Sequence, residues 1–220
     1  MKKVGLITIN DDNNYGNRLQ NYAIQTKLKQ LKFNCTTIKN DVYLNNKGNV
    51  HKKFCIFQLK KIKRALKQNK RKKLFLKFNK NINFSKMYFY WNCEKRLIKY
   101  DYLLVGSDQV WNPTFNRLSD FDLADFRNDI KKFSFSASFG ISELPKQYYH
   151  KVSKALNNYK AISVREDAGK KIVEDLTGRK DVQVLVDPTM LLTSEEWDKV
   201  SRKPVQLKTD KYILNYFLGE

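Results

Sequence analysis

Val4-Gly5-Leu6-Ile7-Thr8-Ile9, then the polar run Asn10 to Asn17, then Leu19, Tyr22, Ala23, Leu28 and Leu31 at near-helical spacing: this opening decides the fold. The first six residues are aliphatic and β-branched, as in a strand buried on both faces. The spaced apolar residues predict a helix over 18–32, and Cys35-Thr36-Thr37-Ile38 predicts a second short strand. Strand, loop, helix, strand is a βαβ unit, whose crossover implies parallel pairing. The expectation is an α/β fold, a Rossmann-like parallel sheet with flanking helices.

Further elements continue the alternation. Residues 54–80 carry Phe57, Ile62, Ala65, Leu66, Leu74, Phe75 and Phe78 on apolar faces and predict helix. Strands are expected at Tyr102 to Val105, Phe133 to Ser138, Ala161 to Val164 and Val182 to Val186, with helices over 146–158, 166–176 and 194–200. A stop signal, Thr177-Gly178, closes the second of these helices. The first domain is then expected over 1–200, with a basic helical segment at about 50–98. A linker follows over 201–210, and 211–220 reads as the first strand of a second, truncated domain. That strand, Tyr212 to Leu218, would need a covering helix, so the sequence reads as a fragment.

The chain has 220 residues and a formal net charge of +21, with 41% hydrophobic residues. That apolar content suffices for a core and argues against wholesale disorder. The charge is concentrated: residues 51–100 hold 17 Lys and Arg against the single acid Glu94. Coding bias toward lysine and asparagine explains part of the excess equally well; the functional alternative is attraction to anionic lipid, nucleic acid or phosphorylated substrates. Cys35, Cys55 and Cys93 show no CxxC or Cys/His spacing, and His51 and His150 stand alone, so neither a disulfide framework nor a metal site is expected. The opening run is too short for a signal peptide, and no stretch approaches a membrane span. The expected setting is cytoplasmic, with peripheral contact to anionic membrane on its inner face through 51–100, where Phe54, Phe57, Phe75 and Phe78 interleave with the charge.

Polar clusters stand at the carboxyl ends of successive strands, where open α/β sheets bind ligands. Asn14, Tyr15, Gly16, Asn17 and Gln20 lie at the mouth of the first helix; their amides suit sugar hydroxyls, although Asn and Gly also serve simple turns. Gly106, Ser107, Asp108, Gln109, Trp111 and Asn112 follow the 102–105 strand. Asp108 is a candidate general acid or base and Trp111 a candidate stacking platform for a sugar ring; the alternative is a helix-capping Asp108 and a core Trp111. Ser136, Ser138 and Gly140 end another strand with small residues. Arg165 and Glu166 end the next, and Asp187-Pro188-Thr189 the last. Arg165 suits a carboxylate or phosphate, or else a salt bridge to its neighbour Glu166.

Together NYGNRLQNYA at 14–23, YDYLLVGSDQVWN at 100–112, SFSASFG at 134–140, SVRE at 163–166 and VDPTMLL at 186–192 resemble the polysaccharide pyruvyl transferase family. The resemblance implies the amino-terminal half of a GT-B-like two-domain enzyme that transfers pyruvate from phosphoenolpyruvate to a sugar of a glycan or lipid-linked saccharide precursor, as a ketal. It implies no cofactor beyond that donor substrate, and donor contacts made largely by the second half, so that the 220 residues alone are expected to be inactive. Under it Asp108, Arg165 and Glu166 are the candidate catalytic residues, and the other residues of the clusters candidate binding residues. A nucleotide-sugar glycosyltransferase is the second enzyme reading. A nucleic-acid-binding protein is a third class that the charge permits, but no sequence motif for specific nucleic-acid recognition is present.

Overall fold

The computed structural model describes residues 1–10, 14–40, 70–88, 99–115, 117–127, 129–204, 207–209, 211–213 and 215. At its centre is a parallel sheet of six strands, β1 (Lys3–Ile7), β2 (Asn34–Asn40), β3 (Phe84–Tyr88), β4 (Tyr102–Val105), β5 (Lys131–Ser134) and β6 (Tyr159–Ala161), in the order β3-β2-β1-β4-β5-β6. A second parallel pair joins β7 (Ser163–Val164) to β8 (Gln183–Val184). The expected α/β, Rossmann-like parallel sheet is what forms. The strand order reverses between β1 and β4, and the crevice outside the carboxyl ends at such a reversal is where this architecture binds ligands.

β1 is buried on both faces, as its unbroken apolar run requires. Val4 and Leu6 pack with Ile24 of α1 (Tyr15–Gln30), while Ile7 joins the larger core around Ile38, Leu103, Trp111 and Phe139. Gly5 is where β1 comes closest to its neighbours: a β-carbon there would stand 2.7 Å from Ile38 Cδ1 and 3.0 Å from Leu103 Cδ2. The remaining helices are α2 (Lys70–Phe78), α3 (Tyr149–Asn157), α4 (Asp167–Thr177) and α5 (Ser194–Asp198). α4 ends at Gly178, whose φ of 71° is the left-handed cap that glycine supplies freely. Thr193 and Glu196 close a capping box on α5.

Several expectations shift. α1 starts at Tyr15 rather than 18 because the Asn14 side chain accepts from the Asn17 N–H and caps it. β3 is a strand that the apolar pattern does not announce. It is positioned by Asn83, whose N–H donates to Gln25 Oε1 and whose Nδ2 donates to the Cys35 carbonyl. The strand expected through Ser138 stops at Ser134, and the one expected at 161–164 is divided at Ile162. Serine hydroxyls cause both breaks. Ser134 Oγ donates to the Ser163 carbonyl and accepts from the Ser163 N–H, while Ser163 Oγ donates to the Ser134 carbonyl and accepts from the Ser136 N–H. Side chains thus replace ladder bonds, and Ser136 turns to a φ of 51°.

Of the helix expected over 54–80, α2 is the described part and 54–69 lies outside the described residues, as does most of the basic segment. Of the strand expected over 212–218, Tyr212, Ile213 and Asn215 are described and belong to no strand. Ile213 is 88% exposed, and a strand exists only where a neighbour supplies its hydrogen bonds.

Candidate active site

The carboxyl ends of β1, β4, β5 and β7 are stitched into one polar floor. Single bridges join Asp108 to Ala137 and Ala137 to Val164, so the loops after β4 and β5 run side by side and beside β7. Asp108 takes a φ of 83°, a left-handed conformation uncommon for a residue other than glycine. There Asp108 Oδ2 accepts from Asn17 Nδ2, and Oδ1 accepts from the Gln109 N–H at 2.8 Å. A residue of the first helix mouth and one from the β4 loop thereby meet directly across the point where the strand order reverses.

Beneath this contact is a buried relay. Gln20 Nε2 donates to Thr8 Oγ1 at 2.8 Å, and Thr8 Oγ1 donates to the Ser107 carbonyl at 3.0 Å. Gly106 continues it through its N–H to the Ile7 carbonyl. Thr8 was not among the sequence candidates; its position one residue past β1 is the only signal that pointed to it.

A second carboxylate in the cleft is Asp187. Its Oδ1 accepts from the Thr189 N–H and hydroxyl at 3.0 and 2.8 Å, and its Oδ2 accepts from Ser107 Oγ and Arg165 Nη1, both at 3.1 Å. Partial burial opposes its ionisation, but the Thr189 backbone and hydroxyl, Arg165 and Ser107 together outweigh it and hold its carboxyl below the usual range. Arg165 therefore pairs with Asp187 and not with its neighbour Glu166. Glu166 Oε1 instead accepts from the N–H groups of Phe139 and Gly140 at 2.9 and 3.4 Å, which fixes the loop after β5. Gly140 is required in that loop: at its φ of 62°, a β-carbon would stand 2.6 Å from Gln109 Cδ and 2.8 Å from Asn112 Nδ2.

Accessibility divides the sequence candidates. Asn14, Tyr15 and Gly16 are exposed at the mouth, and Asp108, Gln109, Arg165 and Glu166 are half-buried. Asn17, Gln20, Gly106, Ser107, Asn112, Ser136 and Ser138 are buried beneath them and act on the site through other residues. Asn112 Nδ2 holds Gln109 Oε1 at 2.7 Å, Ser136 Oγ donates to the Val186 carbonyl at 2.7 Å, and Ser138 Oγ accepts from the Gly140 N–H. Trp111 requires a correction. Its exposure is 0%, it packs at 5.2 Å from the Phe139 ring, and its indole N–H donates to the Asp122 carbonyl. A ring with no exposed face cannot stack on a sugar, so Trp111 belongs to the core. Nor does Asp108 cap a helix, since the chain after it forms a turn. Among the described residues no three His, Cys, Asp or Glu side chains gather as a metal site.

Residues 14–219 of the chain, which hold Asp108, Arg165 and Asp187, are matched by the family model of polysaccharide pyruvyl transferases. The chain belongs to the polysaccharide pyruvyl transferase family. No curated protein and no solved structure matches it. The match takes in the polar clusters from Asn14 to Thr189, while Thr8 of the buried relay lies before it. Among the described residues no helix is long and apolar enough to cross a membrane.

Proposed function

We propose that this chain carries the acceptor side of a pyruvyl transferase that joins pyruvate from phosphoenolpyruvate to two hydroxyls of a sugar. The acceptor class is a cell-envelope glycan precursor, free or lipid-linked. The observation that carries the reading is that Asp108, a half-buried carboxylate bound to the helix mouth, adjoins Ser107, whose hydroxyl donates to the Asp187 of the Arg165–Asp187 pair. Ketal formation adds a proton to the enol methylene, forms two C–O bonds at the adjacent carbon, and releases inorganic phosphate as the enol C–O bond breaks; of the two protons the sugar hydroxyls give up, one balances that on the methyl group and the other leaves with the phosphate. Asp108 suits one of these proton transfers, because it is accessible and already fixed by two donors. Glu166, committed through Oε1 to two backbone N–H groups, has a weaker claim to one. Arg165 suits the phosphate or carboxylate of the donor. In this reading Asn14, Tyr15 and Gln109 are assigned to the acceptor.

In this reading a second, facing domain in a GT-B-like arrangement supplies the other wall of the cleft and excludes water. The basic segment docks the enzyme on anionic membrane. α2 supports this with Leu74 and Leu76, 59% and 43% exposed, beside Lys73 and Lys77. Sedimentation with anionic vesicles but not neutral ones is expected; equal sedimentation with both rejects the docking.

The test of the reaction is incubation of the full-length protein, second domain included, with phosphoenolpyruvate and candidate saccharides, followed by mass spectrometry. A pyruvylated product with matching phosphate release is expected. Transfer from a nucleotide-sugar, with none from phosphoenolpyruvate, would assign the glycosyltransferase chemistry instead.

A further inference from the structure

The Arg165–Asp187 pair is unequal. Asp187 is saturated: each of its oxygens accepts two hydrogen bonds, which is the acceptor capacity of a carboxylate. Its donors come from the loop after β4, from the residue after β7, and from its own turn. Such a carboxylate has no lone pair left for a substrate or a proton. Arg165 is the reverse. It spends Nη1 on Asp187, makes no other side-chain hydrogen bond among the described residues, and keeps 31% of its side chain exposed in the crevice. Its backbone N–H is tied to the Ala137 carbonyl at 3.1 Å, so the guanidinium is anchored at both its root and one tip. A bidentate pairing would have used one whole edge of the fork; this single contact fixes orientation while leaving the other donors open.

We propose that Asp187 is a positioning residue: it aims Arg165 at an oxyanion bound in the cleft, which, resting on the reading above, is that of the donor phosphoenolpyruvate. Ser107 and Thr189 serve the same end by fixing the carboxylate from either side. The cost of freezing a long arginine is met in the apo protein, so binding an anion need not order it again.

The test is an NMR titration of the protein with two probes, phosphoenolpyruvate and inorganic phosphate, in the wild type, Asp187→Asn, Arg165→Ala and the double variant. Asp187→Asn is expected to weaken both probes about tenfold and to add nothing to Arg165→Ala, because two residues acting through one guanidinium are not additive. A purely structural pair would lower the melting temperature and leave both affinities unmoved. Thr189→Ala is the milder companion should Asp187→Asn not fold: it keeps the charge, loosens the carboxylate, and is expected to weaken binding about threefold. Wild-type affinity in Asp187→Asn, or in Thr189→Ala where that variant alone folds, overturns the proposal and leaves the pyruvyl transfer reading intact. Phosphate binding that depends on Asp187, with phosphoenolpyruvate no tighter than phosphate, overturns the donor assignment and leaves the positioning role standing. Absence of binding by either probe to the wild type overturns both.

Discussion

At the amino ends of β5 and β6, Lys132 is 1% exposed and stands 4.0 Å from Asp125, with Asp122 buried nearby against Arg117; at the carboxyl ends of β4 and β7, Arg165 and Asp187 stand 3.1 Å apart with about a third of each side chain open. Both are charge clusters on the same sheet, yet they are finished differently. Burial pushes the Lys132 amine below the usual lysine range, against the opposing pull of Asp125 and Asp129. Tyr159, fully enclosed beside it, donates its hydroxyl to the Leu123 carbonyl at 2.9 Å, and burial raises its pKa well above the ordinary phenol. That cluster is sealed, and it ties the 117–125 segment to the sheet. The carboxyl-end cluster is left unfinished on the side facing solvent. Buried charge alone is therefore a poor guide to function in this fold; charge with donors to spare at the switch point is a better one.

The largest effect that tests this contrast is on the sealed side. Asp125→Ala removes a counter-charge from both Lys132 and Lys154 and is expected to cost about 3–5 kcal/mol, the usual loss when one member of a buried pair is deleted. Urea denaturation measures it, and a loss under about 1 kcal/mol would mean the amino-end cluster is not the structural one. On the open side, Asp108→Asn in the full-length protein is expected to lower pyruvyl transfer by at least about 100-fold while leaving stability near that of the wild type. Turnover close to wild type would make Asp108 a mere turn residue.

Trp111→Phe sharpens the boundary between the two regions. It keeps most of the ring volume but leaves the Asp122 carbonyl without its donor, so about 1–3 kcal/mol of stability should be lost. The acceptor KM should not move; a raised KM at unchanged stability would return Trp111 to the binding site. The smallest effect is pH-dependent. The Thr193 backbone, then Gln30 and Lys27, hold the Glu196 carboxyl down at about 2. Its contribution is thus complete above the ordinary carboxylate pKa and is lost as pH falls from there toward 2. Glu196→Gln should lower the melting temperature slightly at neutral pH, where that contribution is complete, and flatten the acid limb of thermal scans between pH 5 and 3.

The parallel sheet was legible in the sequence because β1 and β4 are unbroken apolar runs, and a run of that kind has few other fates. The start of α1 was harder to read. Its buried face carries Asn17, Arg18, Gln20, Asn21 and Gln25, so apolar periodicity marks only its later turns. β3 was invisible for a similar reason: its register depends on Asn83 and Gln25, which are distant in sequence and meet only after the crossover folds. The polar clusters were found by their position after strands. Their division into accessible and supporting residues was not, because burial of Trp111, Asn112 or Ser138 is decided by neighbours from other loops. The role of Asp187 depended on a pairing over 22 residues, where proximity favoured Glu166.

The clamp of α5 on α1 has a mechanical consequence. Glu196 accepts from Lys27 Nζ at 3.1 Å and from Gln30, the Trp197 ring stands 5.7 Å from that of Tyr22, and the Trp197 indole N–H reaches the Thr189 carbonyl at 3.3 Å. Residues 187–197 are therefore moored at one end in the crevice and at the other on the flank of the first helix. Pulling or twisting of the chain beyond Trp197 meets that mooring before it meets Asp187. The exposed, irregular stretch 201–204 lies beyond that mooring, so a force applied there reaches α5 and α1 before it reaches the crevice.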